Sequence, residues 1–236
     1  MSAYSRKQKK RLELYFRCLS SVCIDSMLGY YYIPYEFHKG ERWIRNRVLK
    51  KTLAYWRVKD KTSLEEQIHF LLQDGHCQEY KDIHANLQAL TFAVRERYVE
   101  NSKEDAQYDK LLVVHKYMSL LPSADIAALG GGWAIMLARI GRVYGFLSKR
   151  EAWEIDLQAA RYLQQHYSSW EEYLTAFAVG THFITNSTEV KHVRHILNMA
   201  STIVGASSLA LEKAPWNQSL LPDRDVKSEH QDSLSV

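Results

Sequence analysis

Residues 123–147 read SADIAALGGGWAIMLARIGRVYGFL, and residues 148–155 continue SKREAWEI. Ile126, Leu129, Trp133, Leu137, Ile140 and Tyr144 recur at steps of three and four, the period of one helical stripe. Ser123 or Asp125 suits the start of that helix and Gly145 its end. Ser148 and Glu151 then form a capping box, in which a hydroxyl and a carboxylate satisfy the first orphan N–H groups. The helix it opens aligns Ala152, Ile155, Ala159 and Leu163. A further box, Ser168-Ser169-Trp170-Glu171, precedes Trp170, Leu174, Phe177, Thr181 and Ile184. Connections this short imply antiparallel neighbours. Gly130-Gly131-Gly132 lacks the Lys-Ser/Thr of a phosphate loop and reads as a close crossing of two helices, or a kink.

The same period runs outward in both directions. Val190, Val193, Leu197, Ala200 and Val204 suggest one more helix downstream. Upstream, residues 41–56 suit a basic helix, and Thr62-Ser63 with Glu65-Glu66 suits a capping box. That box would open a helix with Leu64, Ile68, Leu71 and Leu72 inward, ended by Gly75. Ile83, Leu87, Leu90, Val94 and Tyr98 continue the spacing, and a helix over 104–120 stops before Pro122. Tyr30–Tyr35 is a candidate strand interrupted by Pro34. The polar tail from Pro222 reads as disordered. The expectation is an all-α, single-domain helical bundle of about seven to nine helices. Residues 1–38 would form a basic N-terminal helical segment, 39–221 the helical domain and 222–236 the disordered tail.

Composition agrees. The 236 residues are 46% hydrophobic and 25% charged, an ordinary globular balance. Ten glycines and four prolines are too few for the turns of a sandwich or propeller. Three cysteines cannot all pair, which favours reduced thiols and a cytoplasmic setting. Leu12–Ile33 is broken by Glu13, Arg17 and Asp25, so no secretory signal is expected. Apolar runs of 13 residues are too short to span a bilayer.

Charge is lopsided. Residues 1–61 hold 15 Lys/Arg against 5 Asp/Glu, a net of +10, whereas 62–236 net −6. The cations fall in two groups, Arg6–Arg11 and a run of Lys39, Arg42, Arg45, Arg47, Lys50, Lys51, Arg57, Lys59 and Lys61, and Tyr35, Phe37, Trp43, Tyr55 and Trp56 interleave with the second. Cations beside stacking rings are how proteins hold a phosphate backbone, so Arg42, Arg45, Lys50, Lys51 and Arg57 are candidate nucleic-acid contacts. The competing reading is a solvated face complementing the acidic remainder of the molecule. No helix-turn-helix, zinc-finger or RNP pattern accompanies them.

Several stretches together resemble a known family. They are Gly145-Phe146-Leu147-Ser148, Glu151-Ala152-Trp153 and Tyr167–Tyr173, with Tyr55–Val58, Asp74-Gly75-His76 and Ala214-Pro215-Trp216-Asn217. The resemblance, over roughly 40–221, is to a bacterial family known only as a domain of unknown function, with YbeU- and YbeR-like enterobacterial members. It implies a helical fold, a bacterial source and no assigned reaction. The neighbourhood of some such genes to J-domain co-chaperones implies a chaperone-linked partner. In that family's pattern an Asp and an Arg stand one turn apart before Ala138-Arg139. Here Gly130 and Trp133 take those places, which puts any chemistry carried there in doubt.

Among chemical candidates, Arg139 lies in an apolar helix and calls for a carboxylate such as Glu154, or for an anionic ligand. His76, just past Gly75, suits a helix C-terminus. The histidine spacings match no metal site, and HExxH, CxxC and GxSxG are absent. Catalytic, cofactor and metal residues are therefore assigned as none. Trp153, Trp170 and Trp216 read as packing residues that would mark a partner surface if exposed together. The leading expectation is a non-catalytic protein–protein interaction module that engages no membrane. Its rivals are nucleic-acid binding through the basic N-terminal third and an enzyme or effector acting on a small anionic ligand near Arg139.

Overall fold

The computed structural model describes residues 4–24, 42–121, 125–185 and 213–222. Among them are nine helices and no strand. They are α1 (Arg6–Ser21), α2 (Arg42–Tyr55), α3 (Lys61–Gln73), α4 (Cys77–Gln88), α5 (Phe92–Asn101), α6 (Tyr108–Tyr117), α7 (Ala127–Tyr144), α8 (Lys149–His166) and α9 (Trp170–Thr185). The architecture is the expected all-α bundle. The candidate strand at Tyr30–Tyr35, the helix over 190–204 and the tail from 223 lie outside the described residues. No described helix is long and apolar enough to cross a membrane.

Helix α7 is the axle of the bundle. It packs against α8, α3, α9 and α1. The sequence suggests one apolar stripe, but every residue from Ala127 to Gly141 except Trp133 is buried. A helix apolar all round belongs inside. The three glycines make that possible, each on a different side, because successive residues turn about 100°. A β-carbon on Gly130 would stand 2.1 Å from the Leu71 carbonyl oxygen of α3. One on Gly131 would meet Leu163 of α8 at 2.5 Å. One on Gly132 would meet the Tyr173 hydroxyl and Phe177 of α9 at 2.7 and 2.9 Å. The glycine run is therefore a three-way junction rather than a crossing of two helices. Gly141 lies three turns beyond Gly130, on the same face, and would strike Leu64 of α3 at 2.4 Å. Leu71 faces Gly130 and Leu64 faces Gly141, so α3 runs antiparallel to α7.

The capping chemistry is partly as expected. Ser148 and Glu151 form the reciprocal box at α8. At α9, Ser169 Oγ accepts from the Glu172 N–H (3.2 Å), and Glu172 accepts from the Ser168 N–H (2.7 Å). At α3 the box is instead Asp60 with Ser63, and the helix starts at Lys61. Asp60 offers a carboxylate where Thr62 offers a hydroxyl, and it stands one residue before the basic Lys61. The stripe from Ile83 to Tyr98 breaks into α4 and α5 at Thr91, whose extended backbone starts α5. Arg95 turns back and donates to the Leu87 and Leu90 carbonyls (2.9 and 3.1 Å), serving the end of α4. Val94 and Tyr98 are half exposed, so the expected stripe turns outward after Leu87, and α5 buries Val99 instead.

Residues 213–222 close the bundle as a strap with alternating burial, turning once where the Gln218 N–H donates to the Pro215 carbonyl. Side chains read its backbone. Trp170 Nε1 donates to the Ala214 carbonyl, Tyr15 and Gln164 donate to that of Trp216, Tyr4 to Leu220 and Gln8 to Leu221.

Two outcomes test this packing. Gly130→Ala is expected to lower stability by about 2–3 kcal/mol in chemical denaturation, because the atom it meets is backbone. Gly131→Ala is expected to cost less, since the tip of Leu163 can rotate away. Lys61 Nζ lies 2.5 Å from Glu151 Oε1, tying the start of α3 to the start of α8. The Lys61 and Ser148 contacts hold the Glu151 carboxyl down at about 2, from an ordinary value of 4.5. A depressed folded-state pKa gives stability present above the ordinary value and lost as pH falls through about 2. Wild type is expected to exceed Glu151→Gln in melting temperature at pH 6, with the gap closing near pH 2. A gap unchanged by acid would contradict the linkage.

Candidate functional site

A groove with three cationic residues in its lining lies where α2 ends beside the α7–α8 turn. It has a volume of about 630 Å³ and is lined by Lys50, Leu53, Ala54, Arg57, Val58, Lys59, Tyr144 and Phe146. Leu53 and Val58 are buried and form its floor. Tyr144 and Phe146, both in its lining, stack at 5.9 Å and 30°. Lys50, Arg57 and Lys59 bring three cations to the same lining. Among the described residues no carboxylate comes within ion-pair distance of Lys50, Arg57 or Lys59. Their neighbour Asp60 is engaged by Ser63, whose backbone N–H donates to it at 2.9 Å.

The backbone at Arg57 is specialised. The Val58 N–H donates to the Leu53 carbonyl (2.8 Å) and the Arg57 N–H to that of Ala54 (3.1 Å). This is a Schellman ending, and it puts Arg57 in the left-handed region at φ 54°. Glycine is the usual residue there, because a side chain costs about 1–2 kcal/mol in that conformation. An arginine held there presents a guanidinium at the groove despite that cost. Cations at the carbonyl end of α2 also offset its macrodipole.

The other sequence candidates fall elsewhere. Lys51 is exposed on α2, and the side chains of Arg42 and Arg45 lie outside the described residues. Arg139 is 6% exposed and donates from Nη1 to Ser20 Oγ on α1 (2.7 Å), beside the buried Cys18 and Cys23. Burial pushes the Cys18 thiol up to about 12, partly opposed by Arg17 and Arg139. Glu154 is not brought to Arg139. It is exposed and pairs with Arg150 on its own helix at 3.7 Å. His76 is left-handed at φ 69°, starts α4, meets Phe70 edge-on and stands 3.8 Å from Glu79. Trp153 and Trp216 are buried, and Trp170 is half-buried. Trp153 packs on Tyr4 and Phe16, and Trp170 on Tyr15 and Trp216. The shared partner surface is thereby corrected: these rings hold α1 and the strap in place.

The sequence reading saw Asp125 only as a cap. The carboxylate is nearly fully buried and gathers the ends of two helices. Oδ1 accepts from the Tyr167 hydroxyl (2.8 Å) and the Ala127 N–H (3.2 Å), while Tyr167 itself accepts from the Ala128 N–H (2.9 Å). Lys81 and His166 Nε2 each stand 3.8 Å from Oδ2. Burial and the Asp125 charge push the Tyr167 phenol far up, and burial pushes the nearby Cys77 thiol up to about 11. Protons are held in place here rather than made available, and the charge serves the N-terminus of α7.

The family model that matches this sequence covers residues 53–218, well over half the chain, and is described as a protein of unknown function, DUF1266. This chain belongs to the DUF1266 family. No curated protein and no solved structure matches it. The DUF1266 span takes in α7, the Asp125 cluster, and the groove residues Arg57, Lys59, Tyr144 and Phe146. It leaves out α1 and Lys50.

Gly130 also answers the departure noted in the sequence. With the Leu71 carbonyl 2.1 Å from where a β-carbon would lie, an aspartate has no room at this position of the DUF1266 chain.

At Arg57 the expected outcome is unusual. Arg57→Gly should raise stability by roughly 1 kcal/mol in urea denaturation, because it relieves the left-handed arginine. A loss of stability would mean the side chain is held by packing instead.

Proposed function

We propose that the protein is a non-catalytic binding module whose working surface is the basic groove between the end of α2 and the α7–α8 turn, and whose partner is anionic. The observation that carries this reading is the placement of Lys50, Arg57 and Lys59 in one concavity, each without a carboxylate partner among the described residues. A cleft lined by one sign of charge over apolar walls focuses the field and concentrates counter-ions. The clearly shifted phenols and thiols of the described interior, such as Cys77 and Tyr167, are pushed up by burial and stay protonated. Such groups suit packing rather than proton transfer.

The bacterial, YbeU- and YbeR-like membership belongs to the same proposal, supported by the letters Glu151-Ala152-Trp153 and Tyr167–Tyr173. So does the cytoplasmic setting, supported by three buried free cysteines. A small-anion site at Arg139 is less favoured, because its guanidinium is already committed to Ser20 in the core.

Titration of the full chain with fluorescein-labelled inorganic polyphosphate, followed by anisotropy, tests the reading. Binding is expected at low salt, with affinity falling as salt rises. The triple variant Lys50→Gln, Arg57→Gln, Lys59→Gln should bind at least about tenfold more weakly. Equal affinity in the triple variant would contradict the assignment.

A further inference from the structure

We infer that the anionic partner of this groove is a single-stranded nucleic acid, with phosphates on Lys50, Arg57 and Lys59 and a base against the Tyr144–Phe146 pair. The inference rests on the binding-module reading and narrows it. Three features of the structure favour this ligand over a simple polyanion.

The first is the composition of the lining around the three cations. A simple polyanion asks only for charge. Here the same lining holds an aromatic pair stacked at 5.9 Å, with both rings part-exposed. Single-strand binding combines these two elements: a basic track for the backbone and π-faces that any base can stack on. The second is Tyr55, the last residue of α2. It is 58% exposed and stacked on Trp133 at 6.4 Å and 29°. Its ring is thus supported from beneath while leaving area open to solvent, two residues before Arg57. The third is the left-handed Arg57 itself. A generic positive surface needs no particular residue at a Schellman position. A planar guanidinium donates in a fork that matches phosphate oxygens and also stacks on bases. The groove of about 630 Å³ holds a nucleotide or two, not a duplex.

The test compares three fluorescein-labelled probes on the full chain: an oligothymidylate of about eight nucleotides, inorganic polyphosphate of matched charge, and an oligoglutamate peptide. Oligothymidylate is expected to bind tightest, with a log–log salt slope near −2, from about 0.7 per neutralised phosphate for three cations. Phe146→Leu keeps the apolar volume and removes the π-face. It should lower the ratio of oligothymidylate to polyphosphate affinity about tenfold. Arg57→Gly should melt at a higher temperature and yet bind oligothymidylate more weakly, a pairing that a purely structural arginine would not give. Equal binding of all three probes, with the ratio unmoved by Phe146→Leu, overturns the nucleic-acid assignment and leaves the anion-binding module standing. Preference for oligoglutamate overturns it in favour of an acidic protein partner. No binding of any probe overturns both readings.

Discussion

The Leu71 carbonyl sits where a β-carbon of residue 130 would have to be, and much of the bundle follows from that contact. Three consecutive glycines strip α7 of side chains on three sides, so α3, α8 and α9 reach its backbone. Each interior glycine forgoes about 1 kcal/mol of helix propensity relative to alanine. Close approach returns this through dispersion contacts, which are small singly and large in sum. Gly141 repeats the device three turns on and fixes the antiparallel run of α3 along α7.

That axle sets the relation between the remaining parts. At its N-terminal end Asp125 binds Tyr167 and so ties the start of α7 to the end of α8. At its C-terminal end Gly145 turns left-handed, and Phe146 after it joins the lining of the basic groove. Helix α1 is tied to α7 by the Arg139–Ser20 bond and to α9 by the buried Tyr173 hydroxyl, which donates to the Leu19 carbonyl. The strap then fastens α1 to α8, largely by side chains bonding to backbone oxygens. Recognition of this kind depends on strap shape and on the Trp216 anchor more than on the other strap letters. The basic groove stands apart from these fastenings, with its cations left for solvent or a ligand.

Much of the fold was legible because helical spacing and capping chemistry are local. Ser148 with Glu151 could be read from three residues of separation. The start of α3 was misread because Asp60, a stronger cap than Thr62, stood just outside the segment with helical period. The break at Thr91 was hidden because Val94 and Tyr98 keep the spacing of an inward stripe while facing solvent. The site was legible in part. Lys50 and Arg57 were marked by charge, and Tyr55 by its place among them. Lys59 was noted only as part of the basic run, and Tyr144 and Phe146 were seen only as a helix stripe and a family letter. Their convergence is tertiary, produced by the antiparallel turn at Gly145. The left-handed Arg57 had no sequence signal, because the residue expected there is glycine. The reach of Arg139 to Ser20, 119 residues away, was equally beyond local pattern.

Native-state hydrogen exchange measures the central claim most directly, since it reports which backbone opens only when the whole molecule unfolds. If α7 is the axle, the amides of residues 131–141 exchange slowest in the chain, at rates set by global unfolding, while those of α5 exchange far faster. Protection of α7 no greater than that of α5 would contradict the account.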